Sequence, residues 1–226
     1  MSIFLRQVWA IMSKDLRSEF RTKEAINASL AFSLVILLLF SFAFDTAAEE
    51  MKQLSGGLLW MVFAFAGTLV LNRSFIREVP NDCLDALLAS PISGAALFLG
   101  KALGNFALLL AIEAACLPIF AVFYNVTLTR EPGWLALVMV LATWALTVIG
   151  TMFSALTVNL RLRELMLPTL VYPMMIPALM AAIELTRVLV TGEPIGENMM
   201  WFRVLTAFDI IFTALAVTFV DTVLQG

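Results

Sequence analysis

Apolar residues in this chain gather into long runs with few or no charges, and six of these runs approach the length of a membrane crossing. The first, residues 25–44, reads AINASLAFSLVILLLFSFAF and carries no charge over 20 residues. At a helical rise of about 1.5 Å per residue, such a run covers the roughly 30 Å of a hydrocarbon core. Runs at 54–71, 102–124, 133–158, 165–183 and 204–220 predict five further spans. Ahead of the first, Leu5, Val8, Met12, Leu16 and Phe20 recur at steps of three or four, while Arg6, Lys14, Arg17 and Arg21 project elsewhere. That pattern predicts an amphipathic helix lying in the membrane interface. A helix made to bind a partner would carry the same pattern.

Composition agrees with the runs: 62% of the 226 residues are hydrophobic and 14% are charged, with a mean hydropathy of +0.96. The expected fold class is an all-α membrane protein, with residues 1–226 forming a single transmembrane domain and no room for a second, soluble one. Lys and Arg set the orientation. Arg6, Lys14, Arg17, Arg21 and Lys23 precede the first run, Arg73, Arg77 and Lys101 lie between the second and third, and Arg161 and Arg163 between the fourth and fifth. The alternate connections hold only Lys52, Arg130, Arg187 and Arg203, so both termini are expected in the cytoplasm. A formal charge of −3 and the absence of histidine argue against nucleic-acid binding and remove the commonest metal ligand and proton shuttle. Cys83 and Cys116 have no metal-ligand spacing.

The chemistry of an enzyme is missing. The string nearest to a phosphate-binding loop, GAALFLGKA from Gly94, has one residue too many between its glycines and Ala102 where a hydroxyl should hold magnesium. Without histidine, no Ser/His or Cys/His nucleophile pair can form. Two intramembrane acids stand out, Glu113 in mid-span and Asp209 about one and a half turns inside its run. A charge at a helix centre costs about 2.5 to 3.5 kcal/mol on insertion scales, so Glu113 should face protein or water. It fits a proton or substrate site and a hydrogen-bonded packing residue about equally. Asp209, close to Arg203 and Trp201, is expected to snorkel to the outer interface. Pro168, Pro173 and Pro177 should kink or interrupt the fifth span. Gly100 with Gly104, and Gly150 with Ser154, are small-xxx-small pairs that permit close helix approach within a protomer or between two.

Between the second and third spans the chain reads RSFIREVPNDCLDALLASPISGAALFLGK from Arg73. Asp82 and Asp85 accompany Leu84, Leu87 and Leu88 in a short helical pattern that Ser90-Pro91 ends. A short amphipathic helix here suits docking to a soluble motor, and equally an interfacial surface helix. The run Leu84-Asp85-Ala86-Leu87-Leu88-Ala89-Ser90-Pro91 followed by Lys101 resembles the L-E-x-L-L-x-S-P motif of the CcmB family, the heme exporter B membrane subunits of the cytochrome c maturation ABC transporter. The stretch from Gly150 through Arg163 and Glu164, then Leu167-Pro168, Pro173 and Ile176-Pro177, is similar to that family's fourth-to-fifth-span region. The sequence departs from the family pattern at Asp82, where glycine is usual, and at Asp85, where the acid is one carbon shorter.

The resemblance implies a permease, not itself an enzyme, in the bacterial cytoplasmic membrane. It would dimerise and bind a separate ATPase subunit, CcmA, on the cytoplasmic side, in association with CcmC, CcmD and the heme chaperone CcmE. ATP hydrolysis in the partner would drive heme export or release of the heme-loaded chaperone. Asp82, Leu84, Asp85, Leu87, Leu88, Ser90 and Pro91 would form the ATPase-coupling surface, Arg163 and Glu164 a second cytoplasmic contact, and the proline-bearing span would transmit movement. No cofactor is expected on this chain, heme enters as a possible handled substrate with ATP in the partner subunit, and with no histidine Met or Tyr are the strongest options for an axial ligand. Two alternatives stay open: an ABC permease for a drug, lipid or polysaccharide, and a proton-coupled secondary transporter using Glu113.

Overall fold

The computed structural model describes residues 3–44, 49–76, 78, 91–128, 131–158 and 163–225, and every regular element among them is helical. In chain order these are α1 (Ile3–Thr22), α2 (Glu24–Ala43), α3 (Glu49–Leu71), the single turn α4 (Arg73–Ile76), α5 (Gly94–Phe123), α6 (Pro132–Thr157), α7 (Arg163–Thr191), a 3-10 turn at Ile195–Asn198, and α8 (Met199–Gln225). Six helical stretches are long and apolar enough to cross a membrane: Glu24–Ala43, Glu50–Ile76, Gly94–Phe123, Pro132–Thr157, Leu165–Thr191 and Ile195–Thr222.

Helices α3 and α6 form the centre. α6 packs against α3, α5, α7 and α8, while α3 also receives α2, α5 and α7. Their inward faces, with Leu59, Trp60, Val62 and Phe63 on α3 and Ala142, Ala145, Leu146 and Ile149 on α6, are almost wholly buried. Lipid is as apolar as leucine, so helix association relies on close packing and a few interhelical hydrogen bonds. Both are present. Trp60 Nε1 donates to Thr186 Oγ1 at 2.8 Å, Trp144 Nε1 to Thr213 Oγ1 at 3.0 Å, and the Tyr124 hydroxyl to the Leu37 carbonyl at 3.0 Å. Outward positions such as Val35, Leu39, Phe42, Ile176, Met180, Ile210 and Phe219 are apolar and exposed, as hydrocarbon requires and water would penalise.

Two boundaries differ from those of the apolar runs at charges that find a partner. α5 begins at Gly94 and carries Lys101 within it, instead of starting at residue 102. α7 continues to Thr191, past the expected end at 183. Glu184 and Arg187 pair across one turn at 2.8 Å and Arg187 reaches Glu193 at 2.6 Å, so their charges stay in the helix. Arg187 therefore belongs to α7 and not to a connection. α7 also runs through Pro168, Pro173 and Pro177 without a break. Pro173 and Pro177 are one turn apart and both exposed, so the carbonyls they leave without donors do not disturb the packed face.

Candidate functional site

Helix α1 has three faces. Val8, Ile11 and Glu19 are buried, Leu5, Trp9 and Phe20 form an exposed apolar stripe, and Arg6, Arg17 and Arg21 lie on the remaining, solvent-facing side. The expected single apolar face is thus divided, with Val8 turned into the protein and Leu5 and Phe20 turned out. The buried face rests on α5 at the Gly100-xxx-Gly104 pair. A Cβ added at Gly100 would come within 2.7 Å of Ile11 Cβ and 3.0 Å of the Val8 carbonyl oxygen. This small-residue pair serves contact within the protomer. Gly150 does the same elsewhere, taking the side chain of Leu71 from α3.

One turn along that contact stands a cluster of four charges. Lys101 is 1% exposed, and its ammonium donates to the Ser74 carbonyl at 2.7 Å, to Glu78 Oε1 at 2.7 Å and to Asp15 Oδ2 at 3.3 Å. It also sits 4.8 Å from the ring centroid of Phe75, a cation–π contact. Lys14 reaches the same Glu78 oxygen at 2.5 Å and Asp15 Oδ1 at 3.1 Å. Two cations and two carboxylates thus cancel where α1, the turn after α4, and α5 meet. Asn105 continues the network, donating to Ser74 Oγ at 2.9 Å and Thr151 Oγ1 at 3.0 Å. Beside it opens a cavity of about 330 Å³ lined by Ser18, Arg73 and Val70 among others.

The electrostatics follow from the geometry. Burial by itself would raise the Glu78 carboxyl, but the ammonium groups of Lys101 and Lys14 outweigh it and hold the group below the usual carboxylate range. Burial likewise opposes the charge on Lys14, and Glu78 together with Asp15 overcomes this and raises its pKa. Glu19 anchors the end of α1, accepting from the backbone N–H groups of Ala25 at 2.8 Å and Ile26 at 3.1 Å at the start of α2. Of these residues only Lys101 enters the sequence reading near its motif. Lys14, Asp15, Glu78 and Asn105 carry no local signal, because their partners lie far along the chain.

Among the coupling residues expected from sequence, Asp82, Leu84, Asp85, Leu87, Leu88 and Ser90 lie outside the described residues. Pro91 is described, and its carbonyl accepts from Gln7 Nε2 at 3.0 Å. Arg163 and Glu164 begin α7. Glu113 is fully buried on α5, and its Oε2 accepts from Thr143 Oγ1 at 2.6 Å, while Oε1 has no partner among the described residues. It borders an apolar cavity of about 370 Å³ between α5 and α6. Asp209 is also buried, with neither oxygen hydrogen-bonded among the described residues, so it does not snorkel towards the exposed Arg203. α8 begins at Met199, five residues before the apolar run, which places Asp209 ten residues inside the helix. Glu113 lies ten residues before α5 ends at Phe123. The two acids are therefore at similar distances from their helix ends, not at the different depths expected from the runs.

Six apolar helices around a tightly packed centre, with a charge-paired amphipathic helix bound at one end, define a multi-pass helical membrane protein. Residues 6–223 match the family described as CcmB protein, and the chain belongs to that family. It is 33% identical over 178 residues to heme exporter protein B of Rhodobacter capsulatus, covering 79% of this chain and 81% of the relative. The corresponding Pseudomonas aeruginosa protein is 26% identical over 221 residues, 92% of each chain. That of Paracoccus denitrificans is 28% identical over 178 residues, 79% of this chain and 81% of the relative.

Proposed function

We propose that this protein is the permease subunit of an ABC-type heme exporter serving cytochrome c maturation. The observation that carries the reading is the family match, which runs through all six candidate spans. The relatives named above bear the name heme exporter protein B, and the chain aligns with most of their length. In this reading the chain is one transmembrane domain of the bacterial inner membrane, with both termini in the cytoplasm and α1 at the membrane interface. It pairs with a second copy and docks a separate ATPase, CcmA, alongside CcmC, CcmD and the chaperone CcmE.

The chain acts as a conformational coupler. The stretch from Asp82 to Pro91 and the Arg163-Glu164 corner engage the ATPase, and α7 with its three prolines passes the movement inward. Either heme export or release of the heme-loaded chaperone follows from ATP hydrolysis in the partner. The absence of histidine favours a coupler over a heme channel, since the commonest axial ligand is missing.

The test is purification of the tagged chain from its native membrane in mild detergent, with identification of co-purifying proteins and an ATP hydrolysis assay. Recovery of an ATPase with heme-handling proteins is expected. Recovery of the chain alone would overturn the reading. An Asp85→Lys, Leu88→Glu double variant should insert normally and lose its ATPase, and unchanged co-purification would remove the docking role of the 82–91 stretch.

A further inference from the structure

The exposed positions of α5 are Ala111, Ala114, Ala115, Pro118 and Val122. Other helices present bulky residues outward, such as Leu39 and Phe42 on α2, Ile176 and Met180 on α7, and Ile210 and Phe219 on α8. Bulky side chains suit lipid tails, whereas small ones leave a shallow surface that the backbone of another helix can approach. Ala114 borders the apolar cavity of about 370 Å³ between α5 and α6, together with the exposed Ala136 and Val140 on α6 and the buried Glu113. With exposed residues on its rim, this cavity is a groove open to the side. Pro132 at the start of α6 also lines it, so it lies in the half of these two spans nearer their connection.

Two acceptors at this groove lack a donor. Glu113 is 1% exposed, and its Oε1 has no partner among the described residues. Pro118 has no N–H, so the Ala114 carbonyl four residues before it loses its usual helical donor. In hydrocarbon neither acceptor can turn to water, and lipid tails supply no donor. We propose that the groove between α5 and α6 docks a membrane-spanning helix of another protein, which packs on Ala114 and Ala136 and directs an uncharged donor, a hydroxyl or a side-chain amide, to Glu113. Such donors are the usual polar contact between membrane helices, and a cation would carry the larger cost of a buried charge. A second copy of this chain is a poor complement. On its spans the exposed Thr169, Thr206 and Thr218 each donate to a carbonyl four residues back in their own helix. The exposed amides of Asn27 and Gln53 stand within the first five residues of α2 and α3, away from mid-span. The inference goes beyond the exporter assignment and requires only that α5 and α6 cross the bilayer.

The experiment places a photoreactive amino acid at Val140, on the groove rim, and in a second variant at Ile210, on the exposed face of α8. The full chain is cross-linked in its native membrane and the joined peptides are sequenced. The expected result is a Val140 adduct with one membrane-spanning segment of another protein, carrying Ser, Thr, Asn or Gln within a turn of the joined residue, and no such adduct from Ile210. Filling the groove with Ala114→Leu and Ala136→Leu should cut the adduct at least tenfold. Both positions are exposed, so the melting temperature of the purified chain in detergent should not move. Glu113→Leu should also cut the adduct, and Glu113→Gln should keep it. Adducts with lipid alone, with a second copy or with a segment lacking a donor would overturn the proposal. So would an adduct that survives groove filling, or a loss that tracks a falling melting temperature. Recovery of an ATPase bears on the exporter reading alone.

Discussion

Ile11 stands directly over Gly100, so close that a Cβ there would lie 2.7 Å from the Ile11 Cβ and 2.9 Å from its Cγ2. The contact is backbone against branched side chain and has no slack. Gly100→Leu should therefore push α1 off α5, at a cost of about 1 to 3 kcal/mol for overpacking. Faster hydrogen exchange in residues 3–22, with the spans unaffected, is the expected readout. Protection equal to wild type would mean that α1 is held by its charges alone.

Glu78 is shared by two ammonium groups, so its removal is felt on both sides. Glu78→Gln should cost about 1.5 to 3 kcal/mol, the range for hydrogen bonds to charged groups. The pH dependence has a defined sign. A lowered Glu78 pKa contributes stability that is complete above the unfolded glutamate value near 4.3 and is lost as pH falls through the folded value. The raised Lys14 pKa contributes stability that is complete below about 10.4 and is lost as pH rises through the folded value. The protection factors of the α1 amides, taken against their intrinsic exchange rates at each pH, should be flat between these limits and fall at both ends. Glu78→Gln should abolish the acid limb.

Asp209 is buried with both carboxylate oxygens unpartnered among the described residues, a costly arrangement for packing alone. Asp209→Asn, and more so Asp209→Leu, should raise thermal stability in detergent by relieving that cost, by about 1 kcal/mol or more. A variant that is stabilised but inactive in maturation would identify Asp209 as a functional acid. One that is destabilised would show that an unseen partner holds it.

Glu113 accepts from Thr143 at 2.6 Å, and a glutamine amide oxygen can accept the same bond. Glu113→Gln should leave ATP-linked maturation intact, while Thr143→Val should destabilise by about 1 to 3 kcal/mol because it strands a buried acceptor. Complete loss of transport in Glu113→Gln with the fold preserved would instead favour a proton-coupled mechanism.

The six spans were legible in the sequence because lipid imposes a local rule: each crossing segment must be apolar for about 20 residues and satisfy its own backbone hydrogen bonds. That requirement needs no partner, so runs such as 25–44 and 133–158 lie within a residue of α2 and α6. The family motifs were equally local, being consecutive residues. What the run pattern misplaced were the ends carrying charge. Lys101 and Arg187 were assigned to connections because a charge alone ends an apolar run, and each lies inside a helix because its counter-charge is supplied there.

Only the tertiary structure decided which charges meet. Lys14 and Glu78 are 64 residues apart in the chain, and Gln7 and Pro91 are separated by 84, and no periodicity connects such pairs. It also decided that Gly100 receives α1 and that Asp209 points inward. These outcomes depend on which helix faces are apposed, a relation among packed surfaces that hydrophobic periodicity narrows to a face but cannot assign to a partner. The sequence by itself determined that this protein crosses the membrane as six helices; their packing determined how its N-terminal helix grips the connection outside them.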